Sequence, residues 1–307
     1  MKFGVHLPHI GPFHDGESMT RFARGVEEMG YDSVWGSDHV VFPVGYESKY
    51  PYSETGDFPL PGQAPWVEEV TSLTFVAGAT SRVRLGTSIL VLPYRNPVMN
   101  AKTLAALDVL SGGRLICGVG AGWMREEAEA MGMPFDNRGA RTDEHIELML
   151  AMWTQDTATY EGRFYRLPPV HSEPRPVQKP HPPVWVGGHE PGALRRAARY
   201  GDCWHAYRLR PEELGERFGY VQEKAREFGR DAGSIELSVR VPLVLGDASM
   251  SIDRAVAGTV DDVKSQLAAY RDAGVETVVF EPPIFEGLER GLAVMERFAK
   301  DVAPEFA

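Results

Sequence analysis

At 307 residues the chain has room for two ordinary domains or one α/β barrel. Its 43% hydrophobic and 24% charged residues are those of an ordinary globular protein, and no apolar run approaches the ~18 residues of a membrane span. The net charge of −11 argues against nucleic acid or an anionic membrane as partner; two cysteines, Cys117 and Cys203, and a proline at position 8 in place of a signal-peptide core point to the reducing cytoplasm.

The apolar period alternates between two and about 3.6 residues. KFGVHLP (2–8) reads as a strand; Met19, Phe22, Val26 and Met29 then share a helix face that Gly30 ends. YDSVWGS (31–37) is a second strand, followed by a Pro/Tyr/Gly-rich loop over about 38–65 and a helix near 66–80. RVRLGTSIL (82–90) is the third strand; Asn96-Pro97 opens the next helix as cap and first-turn proline, and Gly112-Gly113 closes it. RLICGVG (114–120) is the fourth strand, and Ile146, Met149, Leu150 and Trp153 mark the helix after it. PPVWVGG (182–188) precedes a helix starting near Pro191, and DCWHAY (202–207) precedes the stripe Leu214, Phe218, Val221, Ala225 and Phe228. IELSVRVPLVL (235–245) leads to a capping-box-like start at Thr259 and Asp262, with Val263, Leu267 and Tyr270 on one face. VETVVFEPP (275–283) is the eighth strand, and a last helix spans about 286–301.

Eight strand–helix units without a composition break predict a (β/α)8 TIM barrel, one domain over 1–307, rather than a doubly wound sheet. The proline-rich segment 155–181, with a hairpin around Glu161-Gly162, reads as an insertion after the fourth helix.

In such barrels chemistry sits at the C-terminal ends of the strands. Phe3, Val5 and Leu7 share one face of the first strand, so His6 points into the barrel near its mouth. GVGAGW (118–123) offers Gly118 and Gly120 for a dinucleotide fingerprint, but the third place falls on Trp123, and the stretch lies in mid-chain. The small inward positions leave room for a planar ring or for tight packing. Gly187-Gly188 before a helix presents N–H groups to a phosphate, or is a tight turn with nothing bound. Asp38 and His39 are a ring-binding carboxylate and a proton donor, or a surface cap. His6, His9, His39, His205 and Glu281 invite a metal reading, but His6-x-x-His9, interrupted by Pro8, lacks a coordinating spacing, and no metal is expected.

The pieces FGVHLP, WGSDH, LGTSILVLPYRNP, RLICGVGAGWMREE and PPVWVGG, in this order and spacing, resemble the bacterial luciferase-like superfamily over essentially the whole chain. The run from GWMREEAEAMGMPFDNRGARTDEHIELMLAMWTQD to YEGRFYRLPP is similar to its branch of coenzyme F420-dependent oxidoreductases. The resemblance implies a hydride exchange between the deazaflavin of F420 and a small organic substrate. Its alternatives are a luciferase-like monooxygenase using reduced FMN and a non-catalytic flavin-binding barrel. Carried over residue by residue, it makes Gly187-Gly188 the phosphate site, Asp38 a ring contact and His39 a residue used for proton transfer or substrate polarisation. It places Gly120 beside the cofactor and a cis peptide at Ser88-Ile89 behind the ring. His6 and Trp123 become pocket residues. It also implies a homodimer and a separate enzyme that reduces the cofactor. Trp123 stands where sugar- and alcohol-oxidising F420 members carry glutamate, and Pro43 where they carry tryptophan, so their two-residue acid/base system is not carried over. Trp123 is then a pocket wall or a core residue.

Overall fold

Alternation along the first strand separates two environments. Phe3, Val5 and Leu7 join the large apolar core beneath the helices, while Gly4 and His6 face inward. The computed structural model describes residues 1–53, 55–246 and 254–306. Eight parallel strands form the barrel: β1 (Lys2–His6), β2 (Ser33–Gly36), β3 (Arg84–Thr87), β4 (Leu115–Gly120), β5 (Val184–Gly187), β6 (Cys203–Tyr207), β7 (Glu236–Leu245) and β8 (Thr277–Glu281). β8 pairs back onto β1 through Phe3↔Val278 and Val5↔Phe280, which closes the sheet. The predicted TIM barrel is therefore the observed one.

The surrounding helices are α1 (Gly16–Glu28), α2 (Glu69–Ala77), α3 (Pro97–Ser111), α4 (Arg125–Ala130), α5 (Arg138–Thr154), α6 (Pro191–Tyr200), α7 (Pro211–Glu227), α8 (Val260–Asp272) and α9 (Leu288–Asp301). Local chemistry sets several of their ends. Asn96 Oδ1 accepts from Val98 N at 2.9 Å at the start of α3, and Gly112 ends it at φ 69°. Thr259 and Asp262 form the capping box of α8. α4 is a short extra helix in the fourth strand-to-helix connection, which the apolar period does not announce.

Segment 155–181 lies between α5 and β5 and carries an antiparallel hairpin, Ala158–Glu161 with Arg166–Val170. Its turn is pinned to α5 by Glu144, whose carboxylate accepts from the N–H groups of Arg163, Phe164 and Tyr165. The third strand is shorter than the sequence suggests. β3 stops at Thr87, the Ser88–Ile89 peptide is cis, and Leu90–Val91 pairs instead with Val119 and Gly120 of β4.

The barrel interior is plugged by large rings. Trp35 and Trp185 lie 5.0 Å apart between ring centroids and pack with Ile116, Cys203 and Val279. Trp35 fits because its neighbours lack side chains. A Cβ on Gly4 or on Gly86 would collide with the indole. Among the described residues, no helix is long and apolar enough to cross a membrane.

Candidate active site

Above the tryptophan plug, toward the C-terminal ends of the strands, the interior turns polar. His205 stacks on Trp35 (5.2 Å, 14°), with Nε2 2.8 Å from Ser88 Oγ and Nδ1 2.9 Å from Ser238 Oγ. Arg240 Nη1 donates to Ser37 Oγ (2.6 Å) and to Ser88 O (2.8 Å). Glu281 accepts from Arg240 on one oxygen and from Arg208 on the other, each at 2.8 Å. His6 Nε2 meets Ser37 Oγ at 2.7 Å. Burial, with Arg240 adding to it, holds His6 well below the ordinary histidine range and His205 down at about 3; burial holds His9 at about 4. These three imidazoles are neutral hydrogen-bonding parts of the frame. His6, predicted in the pocket, points into the barrel as expected but lies against Ser37 and is 5% exposed. Among the described residues no group of three His, Cys, Asp or Glu side chains is placed to hold a metal.

Asp38 follows β2, and its carboxylate is fully buried against Arg95. Arg95 Nη1 and Nη2 donate to it at 2.6 and 2.8 Å, and Val91 N donates at 2.9 Å. Arg95 also donates to Glu68 at 2.8 Å. The predicted ring contact thus has its charge engaged in the frame, tying the end of β2 to Leu90–Val91. Glu69 on α2 lies beneath the cis peptide and accepts from Ser88 N at 3.0 Å. Burial, reinforced by Asp38, raises its carboxyl well above the usual range, so it is held neutral.

His39 stands next to this frame. Its Nδ1 lies 2.7 Å from Oε2 of Glu127, a fully buried residue of α4. Phe42, Trp66, Phe58 and Trp123 surround the ring at centroid distances of 4.6, 4.9, 5.5 and 6.0 Å. Trp123 is half-buried and also packs against Tyr50, at 5.1 Å, and Phe58, at 5.7 Å. With these rings it encloses His39 in an aromatic cluster made largely by the 38–65 loop. Sequence reasoning missed Glu127. Nothing in GWMREEAEA distinguishes it from Glu126; only the short helix α4 turns it toward His39.

Of the glycines, Gly118 and Gly120 make room that the structure fills with protein. A Cβ on Gly118 would collide with Thr87 O, and one on Gly120 with the Ile89 side chain, which also lies over Gly187. Thr87 and Ile89 thus pack over these two positions. Ile89 itself stays partly exposed at the barrel mouth. Gly188 adopts φ +108°, and its carbonyl accepts from Trp204 Nε1 at 2.9 Å. Helix α6 starts just beyond, and its cap residue Glu190 is exposed and makes no side-chain cap bond. Pro191 has no N–H, and Ala193 N and Leu194 N both donate to Glu190 O, at 2.8 and 3.0 Å, so among the described residues Gly192 N–H is the first-turn donor of α6 left to another acceptor. Beside this turn, Tyr207 N donates to His189 Nε2 at 3.1 Å, and Tyr52 packs edge-on against both residues.

Comparison with known proteins bears on the family and the fold. The family described as luciferase-like monooxygenase matches residues 1–254. An uncharacterised protein of Mycobacterium tuberculosis is 33% identical, with 94% of this chain and 98% of that one covered. An F420-dependent glucose-6-phosphate dehydrogenase of Amycolatopsis mediterranei is 29% identical, covering 94% of this chain and 93% of its own. The solved structure of the monooxygenase RslO1 from Streptomyces bottropensis superposes with a TM-score of 0.80 at 24% identity, covering 100% of both chains, a likeness of fold.

Proposed function

The chain belongs to the luciferase-like monooxygenase family, whose relatives include F420-dependent and flavin-dependent oxidoreductases, and from there we propose that it is a coenzyme F420-dependent oxidoreductase acting on a small organic substrate in the cytoplasm. The observation that carries this reading is the His39–Glu127 pair inside an aromatic enclosure, at the strand ends that also present the Gly187-Gly188 turn. The 29% identical F420-dependent relative, matched along 94% of this chain, favours deazaflavin over FMN.

The residues present fit such a cofactor. The bound deazaflavin supplies a ring carbon that takes or gives the hydride. Gly188, with no Cβ at a left-handed φ, lets an anionic group approach the α6 N-terminus. Ile89 presents an apolar face from the Ser88–Ile89 bulge. Gly120 and Gly187 leave it the space to do so. Asp38 acts through Arg95 by fixing the strand end that carries His39. His39 holds or receives the substrate's proton at Nε2. Phe42, Phe58, Trp66 and Trp123 exclude water from that proton and suit an apolar body on the substrate. A homodimer and a separate cofactor-reducing enzyme complete the proposal; a monomeric mass in sedimentation would remove the dimer.

Titration of the purified protein with F420 and, separately, FMN, followed by absorbance, tests the reading. Binding of F420 with turnover supports it. Binding of FMN alone makes the protein a reduced-FMN monooxygenase. Binding without turnover by any electron acceptor makes it a non-catalytic flavin-binding barrel.

A further inference from the structure

We propose that Glu127 is a positioning residue that holds His39 as its Nδ1–H tautomer, so that the nitrogen exchanging a proton with substrate is Nε2. The proposal rests on the reading of His39 as the proton-transfer residue. It is argued from the way the Glu127 carboxylate is filled. Oε1 accepts from Val40 N at 2.7 Å and Val41 N at 3.2 Å. Oε2 accepts from Tyr94 OH at 3.1 Å and meets His39 Nδ1 at 2.7 Å. Burial, together with Glu127 itself, pushes the Tyr94 phenol up, so it remains an O–H donor. A carboxylate only accepts, so the imidazole must donate from Nδ1. In the neutral ring Nε2 then carries the lone pair. Free histidine in water favours the opposite tautomer, so the arrangement is imposed.

Two further observations separate this from simple loop anchoring. The adjacent Glu126 also grips the 38–65 loop, but through the backbone N–H groups of Glu47 (2.7 Å) and Ser48 (3.1 Å) and the Ser48 side chain, with no titratable partner. Glu127 alone adds a titratable ring and a phenol to its backbone donors. Second, among the described residues His39 Nε2 has no hydrogen-bond partner, and the ring edge lies among Phe42, Phe58, Trp66 and Trp123. A polar hydrogen of a substrate is the partner this nitrogen lacks. Oriented this way, Nε2 takes the hydroxyl proton of a substrate whose carbon gives up the hydride; in the reverse direction it returns that proton to the oxygen. Charge and atoms balance with Glu127 only accepting throughout.

The test is a long-range 1H–15N correlation spectrum of the full-length protein labelled at histidine, with His39 assigned from the missing signals of His39→Gln. The expected result is a protonated Nδ1 and an unprotonated Nε2 in the neutral ring. Glu127→Gln has one carbonyl oxygen for two pairs of donors. The N–H groups of Val40 and Val41 can only donate, whereas the Tyr94 hydroxyl and the imidazole can also accept, so that oxygen serves Val40 and Val41, and the amide NH2 faces His39 and drives it to the Nε2–H tautomer. Turnover should then fall about 10–100-fold, the range of a lost orienting partner, with little change in cofactor affinity. Tyr94→Phe, which keeps the carboxylate–imidazole contact, should retain the wild-type tautomer. An Nε2–H tautomer in the wild-type protein, or a Glu127→Gln variant that keeps both tautomer and turnover, overturns the proposal. The spectrum needs no cofactor, so failure to bind F420 or FMN removes the proposed reaction separately from the tautomer.

Discussion

Replacing Arg95 by methionine keeps much of the side chain's apolar stem and removes both hydrogen bonds it gives to Asp38. Removing one partner of a buried ion pair costs about 3–5 kcal/mol, because the other charge stays buried and uncompensated. Here the Asp38 side chain is 0% exposed but that of Arg95 is 21% exposed, and Asp38 keeps the N–H of Val91. Solvent screening at Arg95 puts the expected loss at the low end, about 3 kcal/mol. The lost contact to Glu68, itself 39% exposed, adds about 0–1 kcal/mol. Urea unfolding followed by tryptophan fluorescence and far-UV circular dichroism, with coincident transitions, measures the change. Adding Asp38→Asn removes the stranded charge and should recover part of the loss, leaving a deficit of about 1–2 kcal/mol for the imperfectly matched amide. A loss below about 1 kcal/mol in Arg95→Met, or a double variant whose loss equals the sum of the single ones, would refute the claim that this pair braces the end of β2. Binding of F420 should weaken in step with stability if Asp38 acts through the frame.

Three other predictions follow from the site. His39→Ala should slow turnover on the order of 10²–10⁴-fold while cofactor affinity changes little; normal turnover would make His39 a bystander. Gly188→Asp should weaken cofactor binding sharply and also cost about 1–3 kcal/mol, since Gly188 sits at φ +108° with Ala193 Cβ 2.8 Å from any added Cβ; Gly188→Ala should show the same strain with a smaller loss of binding, and equal affinity in both would place the phosphate elsewhere. Because the folded protein holds His6, His9 and His205 below the ordinary value of 6.5, the unfolded chain binds more protons below that pH; stability is full above 6.5 and falls on acidification through about 4 for His9 and about 3 for His205. His205→Gln should flatten that fall by about 1.4 kcal/mol per pH unit, and an unchanged slope would show that His205 is not held neutral.

What the sequence discloses of this protein is what repeats or lies close along the chain. The alternation Phe3, Gly4, Val5, His6, Leu7 states which side of β1 meets the helices, and Asn96-Pro97 with Gly112 brackets α3 within one or two residues. The strand ends naming Asp38, His39, Trp123 and Gly188 follow from the barrel alone. Partners are not legible in this way. Asp38 and Arg95 are 57 residues apart and His39 and Glu127 are 88 apart, and no period links them. α4, at six residues, is too short to show an amphipathic stripe, so the helix that delivers Glu127 is silent in the apolar pattern. Gly118 and Gly120 announce space, but a missing side chain does not say what takes its place; here Thr87 and Ile89 do.

The exchange of volume around Trp35 has a bearing on how such a barrel can change over time. The indole occupies room that Gly4 and Gly86 decline, one on the strand to each side of it. A methyl group added at either glycine meets a ring that is 0% exposed and packed against both Trp185 and His205, with nowhere to move. A smaller residue at 35 opens a cavity under the polar layer that carries His205 and, through it, Ser88. Positions 4, 35 and 86 therefore share one allotment of space, and no one of them can drift alone. Lineages that replace the tryptophan must do so with compensating growth on the flanking strands, so the three sites should vary as a set while the loops above them diverge freely.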